Sequence, residues 1–363
     1  MSKSAKRRCN RMQNKRNPIL TLTAAVLILL FSFWAEKYLD DFQIRLLNMW
    51  GIYIILVVSF NLVYGFTGQF SLAHAGLAAI GAYTVSLLTL SPETKLLSYF
   101  IVPPIWPISV VQWPFLPSLL LGGVLAAVIG FLIAAPALRL HGDYLLIVTF
   151  GFSEIIRLVL VNIPSITNGA IGLKGIPYLS SLPIVTFFAV FCVVVTKRLI
   201  GSSYGRAFKC IREDEIAAEA LGVNLFNHKT LSFVFSAFFA GIAGGLFAEI
   251  LGTVDPNTFR PALTYSVVTM AVLGGVKSLT GGVFAAAIFV AMSEVLRSVE
   301  MANTIFNYNF PGLPGLRQLA FAIMMIVLIL YYRKGLMGDK EFSWDWLFAF
   351  GRKLLGKLKG VQP

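Results

Sequence analysis

Long stretches without a charged side chain are the feature that most constrains how this 363-residue chain can fold. Residues 46–92 contain no Asp, Glu, Lys or Arg, and neither do residues 96–138. About 17–25 mostly apolar residues are enough for a helix to cross the hydrocarbon core of a bilayer. Because a backbone in lipid must satisfy its own hydrogen bonds, continuous apolar runs of this length predict helices. The sequence therefore predicts an all-α membrane protein, a polytopic bundle of helices.

About ten transmembrane helices are predicted from the apolar runs. The stretch Gly-Phe-Thr-Gly-Gln at 65–69 divides the first long run into two spans. Prolines and tryptophans at the start of the second run predict an interfacial loop, so only its second half forms a span. For 262–297 the sequence allows either two short spans or one broken hairpin. The predicted spans lie near 19–35, 45–64, 70–90, 117–136, 144–162, 182–200, 229–251, 262–276, 279–297 and 316–332.

The basic residues are unevenly distributed and indicate how the bundle is oriented. The net charge is +13, although only 13% of the residues are charged. Seven Lys or Arg lie in 1–17, six in 197–229 and seven in 333–363. By the positive-inside rule these segments are cytoplasmic, so both termini are predicted to be cytoplasmic. A nucleic-acid binder would instead carry such charge in polar sequence along one face, which excludes that class.

These charges also divide the chain into segments. The sequence predicts a basic cytoplasmic tail at 1–17 and a transmembrane permease domain at 18–333. That domain contains a cytoplasmic loop at 201–228, and a second basic cytoplasmic tail follows at 334–363.

Polar residues and glycines between the predicted spans are candidates for a translocation path. Lipid offers a polar side chain no partner, so such a side chain must face protein or water. A glycine between successive spans can interrupt a helix and expose its backbone to a water-filled path. Two interpretations of these residues stay open. Either they serve helix packing, through small residues and interhelical hydrogen bonds, or they border the translocation path. The candidates are Gly65, Gly68, Gln69, Ser71, His74, Gly274 and Gly275.

Charged residues inside the predicted spans are few. Glu154 with Arg157, and Glu294 with Arg297, are spaced i,i+3, which brings each pair onto one helix face where the charges offset one another. Glu249 has no local partner and is expected to reach water at the outer end of its span. Glu154, Arg157 and Glu249 would be the groups to suspect in an ion-coupled secondary transporter, which is an alternative function.

No nucleotide-binding or catalytic pattern was found along the chain. The P-loop pattern Gly-x-x-x-x-Gly-Lys-Ser/Thr does not occur in it. The sequence therefore predicts a chain that is not an enzyme, and any ATP that drives transport would be used by another chain.

A short cytoplasmic helix is predicted between the sixth and seventh spans. Residues 216–221 have high helix propensity, and Gly222 is placed to end the helix. The acidic residues at 213–215 complement the positive end of the helix dipole. Small side chains on such a helix could fit a groove in a partner protein. A solvated connector is the alternative interpretation.

Residues 216–222, Ile-Ala-Ala-Glu-Ala-Leu-Gly, resemble the cytoplasmic coupling loop of ATP-binding-cassette importer permeases. The usual pattern there is Glu-Ala-Ala followed three residues later by Gly. Ile216 stands where Glu is usual, and Glu215 is displaced by one position. The resemblance implies that ATPase subunits contact this loop through Glu215, Ala217, Ala218, Glu219 and Gly222.

Longer stretches resemble the branched-chain amino acid permease family, in its LivM-type branch. One is Asn-Leu-Val-Tyr-Gly-Phe-Thr-Gly-Gln at 61–69, which continues as Phe-Ser-Leu-Ala-His-Ala-Gly to residue 76. Others are Leu-Arg-Leu-His-Gly-Asp-Tyr at 138–144 and Asn-Gly-Ala-Ile-Gly-Leu at 168–173. The segment 205–222 and Ala-Val-Leu-Gly-Gly at 271–275 complete the set, so the resemblance covers roughly 45–333.

This resemblance implies a heteromeric importer in a bacterial inner membrane. A LivH-like permease would pair with this chain, two ATPase subunits would dock beneath it and use ATP, and a periplasmic binding protein would deliver the substrate. The expected cargo is leucine, isoleucine and valine, and urea or short-chain amides are alternatives within the same family. This chain itself is expected to bind no cofactor, no metal and no nucleic acid.

Overall fold

The computed structural model describes residues 21, 23–99, 102–140, 142–300, 303–305, 308–310, 315–331 and 335–338. The predicted basic tail at 1–17 lies outside these residues, and so does the predicted tail at 334–363 except for 335–338. The described part is helical apart from turns and four short strands. The helices are α1 (23–38), α2 (Asp41–Asn61), α3 (His74–Thr89), α4 (Pro92–Ser98), α5 (Phe115–Ala137), α6 (Asp143–Asn162), α7 (Pro164–Thr167), α8 (Leu182–Gly201), α9 (Ser203–Glu213), α10 (Glu215–Ala220), α11 (Leu225–Leu251), α12 (Pro261–Gly274), α13 (Leu279–Glu300) and α14 (Leu316–Tyr331).

The strands form two small antiparallel pairs. Strand β1 (Leu173–Lys174) pairs with β2 (Thr253–Val254), which follows α11 directly. Strand β3 (Asn303–Ile305) pairs with β4 (Tyr308–Phe310) between α13 and α14. A five-residue π-helix, Leu62–Phe66, continues α2, and a 3-10 turn covers Gly169–Ile171.

Six of the described helices are long and apolar enough to cross a membrane, which makes this a multi-pass, all-α membrane protein. The six are α2 with its π-helix, α5, α6, α8, α11 and α13. Helices α3 and α4 would form a seventh crossing only as a pair bent by 118°. Helix α3 begins at His74 rather than near 70, because residues 67–73 are not helical. The count of ten crossings stays a prediction.

The centre of the bundle is α11, which packs against α3, α5 and α2. Glycines allow these backbones to touch. A Cβ atom placed on Gly81 of α3 would lie 1.9 Å from the Gly241 carbonyl oxygen of α11. A Cβ atom on Gly244 of α11 would lie 1.9 Å from the Ala78 carbonyl oxygen of α3. Small residues at helix contacts let backbones approach closely in lipid, as the sequence predicts for these spans.

Gly81→Ala is expected to destabilise the folded protein by at least about 1–3 kcal/mol, because backbone atoms, which cannot rotate away, occupy the place of the new methyl group. The measurement is the Tm of the purified protein in detergent. Gly151→Ala is the matched control, since no atom lies within 4 Å of a Cβ atom placed there. Equal Tm values for the two variants would contradict the backbone contact between α3 and α11.

The charged side chains in the spans follow the sequence prediction in two cases and depart from it in one. Arg157 Nη2 lies 2.8 Å from Glu154 Oε2, and Arg297 Nη1 lies 3.4 Å from Glu294 Oε1. Both i,i+3 pairs are therefore confirmed. The expectation that Glu249 reaches water is wrong, because its side chain is buried and its Oε2 accepts a hydrogen bond from the Leu179 N–H (3.1 Å).

The burial of Glu249 has a tertiary cause. Strand β1 and the segment that follows it fold back over the C-terminal end of α11, where the Ile176 N–H donates to the Gly252 carbonyl oxygen (3.1 Å). The sequence contains no local signal for this pairing, since β1 and β2 are two residues long and far apart in the chain.

Candidate coupling and translocation site

The break between α2 and α3 contains most of the predicted path residues. The π-helix ends at Phe66, and Gly68 has φ +81°, in the left-handed region that favours glycine. The Gly68 and Gln69 N–H groups donate to the carbonyl oxygens of Tyr64 (3.1 Å) and Val63 (3.0 Å). The loop backbone is thus held to the preceding π-helix while its side chains face other elements.

Backbone N–H groups just before and at the start of α3 are satisfied by hydroxyl groups from neighbouring helices. Leu72 N–H donates to Thr149 Oγ1 of α6 (3.1 Å), and Ala75 N–H donates to Thr264 Oγ1 of α12 (3.0 Å). Helix α3 begins inside the protein, where water does not reach the N–H groups that lack intrahelical partners. These hydroxyls therefore make the non-helical segment before α3 tolerable at this depth.

Ser71 and His74 take part in hydrogen bonds inside the bundle. His74 Nε2 lies 2.9 Å from Ser236 Oγ of α11, and its ring contacts the Phe60 ring edge to face, with centroids 5.1 Å apart. Ser71 Oγ accepts a hydrogen bond from the Ala73 N–H (3.3 Å). Both side chains are buried. Of the two interpretations, the interhelical hydrogen bond describes the geometry of His74.

Gln69 differs from these two residues. Its side chain is only 3% exposed, and neither its amide nitrogen nor its amide oxygen has a hydrogen-bond partner among the residues that the structure describes. A buried amide without a hydrogen-bond partner is unfavourable, so the position of this side chain indicates that it hydrogen-bonds with a group outside the described residues.

The glycines of the path set also act in packing and turns. A Cβ atom on Gly65 would lie 1.9 Å from the Val276 carbonyl oxygen, so the π-helix touches the turn between α12 and α13. A Cβ atom on Gly274 would lie 2.4 Å from Gly281 backbone atoms of α13. Gly275 has φ +102° and forms that turn. Contact between backbones requires Gly65 and Gly274, and backbone conformation requires Gly275.

The predicted cytoplasmic helix is present as α10. Asp214 caps it, since the Ala217 N–H donates to Asp214 Oδ1 (3.0 Å). Gly222 has φ +83° and the Val223 N–H donates back to the Ala218 carbonyl oxygen (3.1 Å), which ends the helix. The sequence therefore predicted both the helix and the glycine that terminates it.

The two faces of α10 differ in exposure. Ala218 is buried against the rest of the chain, whereas Ala217, Glu219 and Gly222 are exposed. Two large apolar side chains beside them are also exposed, Ile216 at 82% and Leu221 at 79%. Sequence analysis noted Ile216 only as a departure from the usual Glu and did not single out Leu221. Their signal was the presence of large apolar residues at both ends of a helix that otherwise contains only alanine and glutamate.

Glu215 joins α10 to the central helix. Its Oε2 lies 2.7 Å from Lys229 Nζ, near the start of α11, and the Lys229 side chain is 5% exposed against 35% for Glu215. Sequence analysis missed Lys229, because nothing local marks it as the partner of a residue 14 positions earlier. A buried ammonium group with one carboxylate partner makes this ion pair a firm connection between the two helices.

Helix α9 makes a second connection, to the π-helix. The Arg212 Nη1 group donates to the Gly65 carbonyl oxygen (2.8 Å), and the same guanidinium pairs with Glu213. The hydrogen bond from Arg212 holds the pKa of the Glu213 carboxyl below its ordinary value, and the charges of Arg212 and Lys277 add to this effect. Arg212 thus links α9 to the π-helix that interrupts the span.

Two cavities lie at this end of the bundle. The larger, of about 410 Å³, is rich in cationic side chains from separate parts of the chain. Its lining consists of Phe66, Lys197, Ile200, Gly201, Lys209, Arg212, Lys277 and Leu279. The smaller, of about 140 Å³, brings together the predicted residues Gly68, Gln69 and Glu215, with Lys229 beside them. Within the described residues, no cluster of three His, Cys, Asp or Glu side chains could hold a metal ion.

Comparisons with known proteins place these features in a family. Residues 42–332 match the family described as the branched-chain amino acid transport system permease component. The chain is 33% identical over 333 residues to the high-affinity branched-chain amino acid transport system permease protein LivM of Salmonella typhimurium, over 81% of this chain and 70% of that protein.

Two further relatives extend the comparison. Identity to LivM of Escherichia coli is 34% over 324 residues, covering 79% of this chain and 68% of that protein. Identity to LivH of Escherichia coli, which bears the same transport-system name, is 24% over 312 residues, covering 80% and 92%. No solved structure matches the chain.

Proposed function

Since the chain belongs to the family of permease components of branched-chain amino acid transport systems, we propose that it is the LivM-type permease subunit of an ATP-driven importer for leucine, isoleucine and valine. A LivH-like permease is its membrane partner, and the substrate crosses between the two permeases. Two ATPase subunits bind on the cytoplasmic side and use ATP, a periplasmic binding protein delivers the substrate, and the importer lies in the inner membrane.

The observation that carries this proposal, beside the family match, is α10 with its exposed apolar side chains. A surface helix that exposes two large apolar residues next to small ones is suited to bind in a groove of a partner protein. The Glu215–Lys229 ion pair and the Arg212–Gly65 hydrogen bond give a force on α9 and α10 two routes into the bundle. Motion of the ATPases can therefore bias a two-state movement of the spans.

The charges around the larger cavity support the proposed orientation. Lys197 of α8, Lys209 and Arg212 of α9, and Lys277 of the turn between α12 and α13 meet at the same end of the bundle as α10. Basic residues concentrate on the cytoplasmic side of membrane proteins. This end is therefore the cytoplasmic one, and with ten crossings both termini lie on the same side.

An ion-coupled mechanism has less support from the buried charges. Glu154 is paired with Arg157 on its own helix, and Glu249 accepts a hydrogen bond from the backbone. Intramembrane charges that already have partners within the protein are accounted for without a coupling ion. Flux of labelled urea or short-chain amides distinguishes this importer from a permease of the same family for those solutes.

The test is uptake into liposomes that contain this chain, the LivH-like permease and both ATPase subunits, with the binding protein outside and ATP inside. Labelled leucine, isoleucine and valine are expected to accumulate, and omission of ATP or of any partner is expected to reduce uptake to background. Uptake driven by an ion gradient without ATP would contradict the proposal, and transport of urea in preference to leucine would correct the substrate.

A further inference from the structure

The smaller cavity lies where the interrupted helix, the start of α6 and the coupling helix meet. Its volume is about 140 Å³, and it reaches from the loop before α3 to the ion pair that ties α10 to α11. The lining residues are Gly68, Gln69, Phe70, Leu140, Gly142, Asp143, Leu145, Leu146, Glu215 and Lys229.

The polar part of this lining is incomplete. The Gln69 amide lines the cavity, is buried, and has no hydrogen-bond partner among the residues that the structure describes. The backbone of Gln69 and of Gly68 before it is held by the hydrogen bonds to Val63 and Tyr64, so the loop presents this amide to the cavity in a defined place. A buried amide with both its donor and its acceptor free is suited to a ligand that offers both kinds of group.

The remaining polar groups carry opposite charges. Asp143, at the start of α6, contributes a carboxylate. Lys229 contributes a buried ammonium group whose partner is Glu215. The cavity therefore contains an acceptor for a cation and donors for an anion within one small space.

The other side chains that line the cavity are apolar. Phe70, Leu140, Leu145 and Leu146 lie beside the polar groups, so the lining is about evenly divided between apolar and polar surface. Such a mixed lining suits a small ligand that has both charged groups and a hydrocarbon part. A zwitterion with a small apolar side chain matches all three features, since it has an ammonium group, a carboxylate and a hydrocarbon part.

We propose that this cavity is a cytoplasmic-side binding site for a free amino acid with an apolar side chain. The Gln69 amide N–H and the Lys229 ammonium donate to the α-carboxylate, and Asp143 and the Gln69 amide oxygen accept from the α-ammonium group. This inference rests on the proposed function for its substrate class. Because Glu215 lines the same cavity, a bound carboxylate competes with Glu215 for Lys229 and weakens the contact between α10 and α11.

The test uses the whole importer in lipid nanodiscs, without ATP and without the binding protein. Binding of L-leucine is measured by equilibrium binding and, for millimolar affinity, by saturation-transfer NMR. Gln69→Leu is expected to weaken leucine binding about tenfold or more, the usual effect of losing a hydrogen bond to a charged group. Gln112→Leu, the same change in an exposed loop, is the matched control and is expected to bind leucine as the wild type does.

Two measurements separate binding from a structural role. Without ligand, Gln69→Leu is expected to keep or raise the Tm, because it replaces an amide that lacks a partner with a side chain of similar size. Asp143→Asn is expected to weaken binding of leucine but not of 4-methylpentanoate, which is leucine without its amino group.

The possible results distinguish this inference from the proposed function. Unchanged leucine binding in both Gln69→Leu and Asp143→Asn, or no leucine binding by a wild-type importer that transports leucine, overturns the site and leaves the proposed function standing. A lower Tm of Gln69→Leu with unchanged affinity also overturns it. A wild-type importer that neither transports nor binds any apolar amino acid overturns both.

Discussion

Lys229→Met is expected to reduce ATP-driven leucine uptake at least about fivefold while the importer still assembles, because the substitution removes the ion pair that joins the coupling helix to α11. A coupling free energy of about 1–3 kcal/mol between two sites corresponds to changes of about 5- to 150-fold. Methionine keeps the length and the apolar stem of lysine, so packing around the site is preserved. The measurements are initial uptake rate and the amount of ATPase subunit that co-purifies.

The two halves of the ion pair are expected to differ in their effect on stability. Glu215→Gln leaves a buried ammonium group without its carboxylate and is expected to cost about 3 kcal/mol. Lys229→Met leaves a carboxylate whose side chain is 35% exposed and can turn to water, at a cost of about 1 kcal/mol or less. The double variant is therefore expected to be more stable than Glu215→Gln alone. In both variants the ion pair is absent, so ATP-driven uptake is expected to be reduced in both.

The control for this series is Lys174→Met, at an exposed position in β1 far from α10. It is expected to leave uptake and stability unchanged. Wild-type uptake by Lys229→Met would show that the ion pair does not transmit the motion of the ATPases. Equal Tm values for Glu215→Gln and Lys229→Met would contradict the burial of the ammonium group.

Ile216→Asp and Leu221→Asp are expected to weaken capture of the ATPase subunits about 30-fold or more each, and to reduce uptake accordingly. Both side chains are about four-fifths exposed in this chain, so the substitutions remove no internal packing. Hot-spot side chains at the centre of an interface cost about 2 kcal/mol or more when they are lost, and a charge introduced there is desolvated as well. Affinity can be measured with the purified permease pair immobilised and the ATPase in solution.

The Tm of the permease pair without ATPase is the internal control, and it is expected to stay at the wild-type value. Leu97→Asp introduces the same charge at a position 73% exposed on α4, away from α10, and is expected to leave capture unchanged. Full capture by both Ile216→Asp and Leu221→Asp would place the ATPase contact elsewhere on the chain.

The apolar runs were sufficient to locate most helices, because each run carries its own requirement to be helical in lipid. Every predicted span overlaps a described helix, and the segment 216–221 became α10. Local turn chemistry was also readable, as Gly68, Gly222 and Gly275 all have positive φ. The start of α3 was harder to predict from the sequence. Hydroxyl groups from α6 and α12 accept hydrogen bonds from the backbone there, so the residues before His74 can be non-helical inside the protein.

The candidate site was only partly predictable for the same reason. Glu215 and Gln69 were chosen from sequence, but the pairing of Glu215 with Lys229 depends on how α10 lies against α11. The residues predicted to border the translocation path also differ from one another in their contacts in the structure. Gly65 and Gly274 make backbone contacts, His74 bonds with Ser236, and Gln69 lines a cavity.

The sequence by itself determined the class of protein, the positions of the helices, the short helix at 216–221 and the resemblance to a permease family. These properties depend on runs of neighbouring residues and on the solvent around them, so they can be read locally. Only the tertiary structure decided that Glu249 is buried, which carboxylate pairs with Lys229, and which side chains α10 exposes. Such features arise from contacts between residues far apart in the chain, and hydrophobicity, which has no direction, does not specify them.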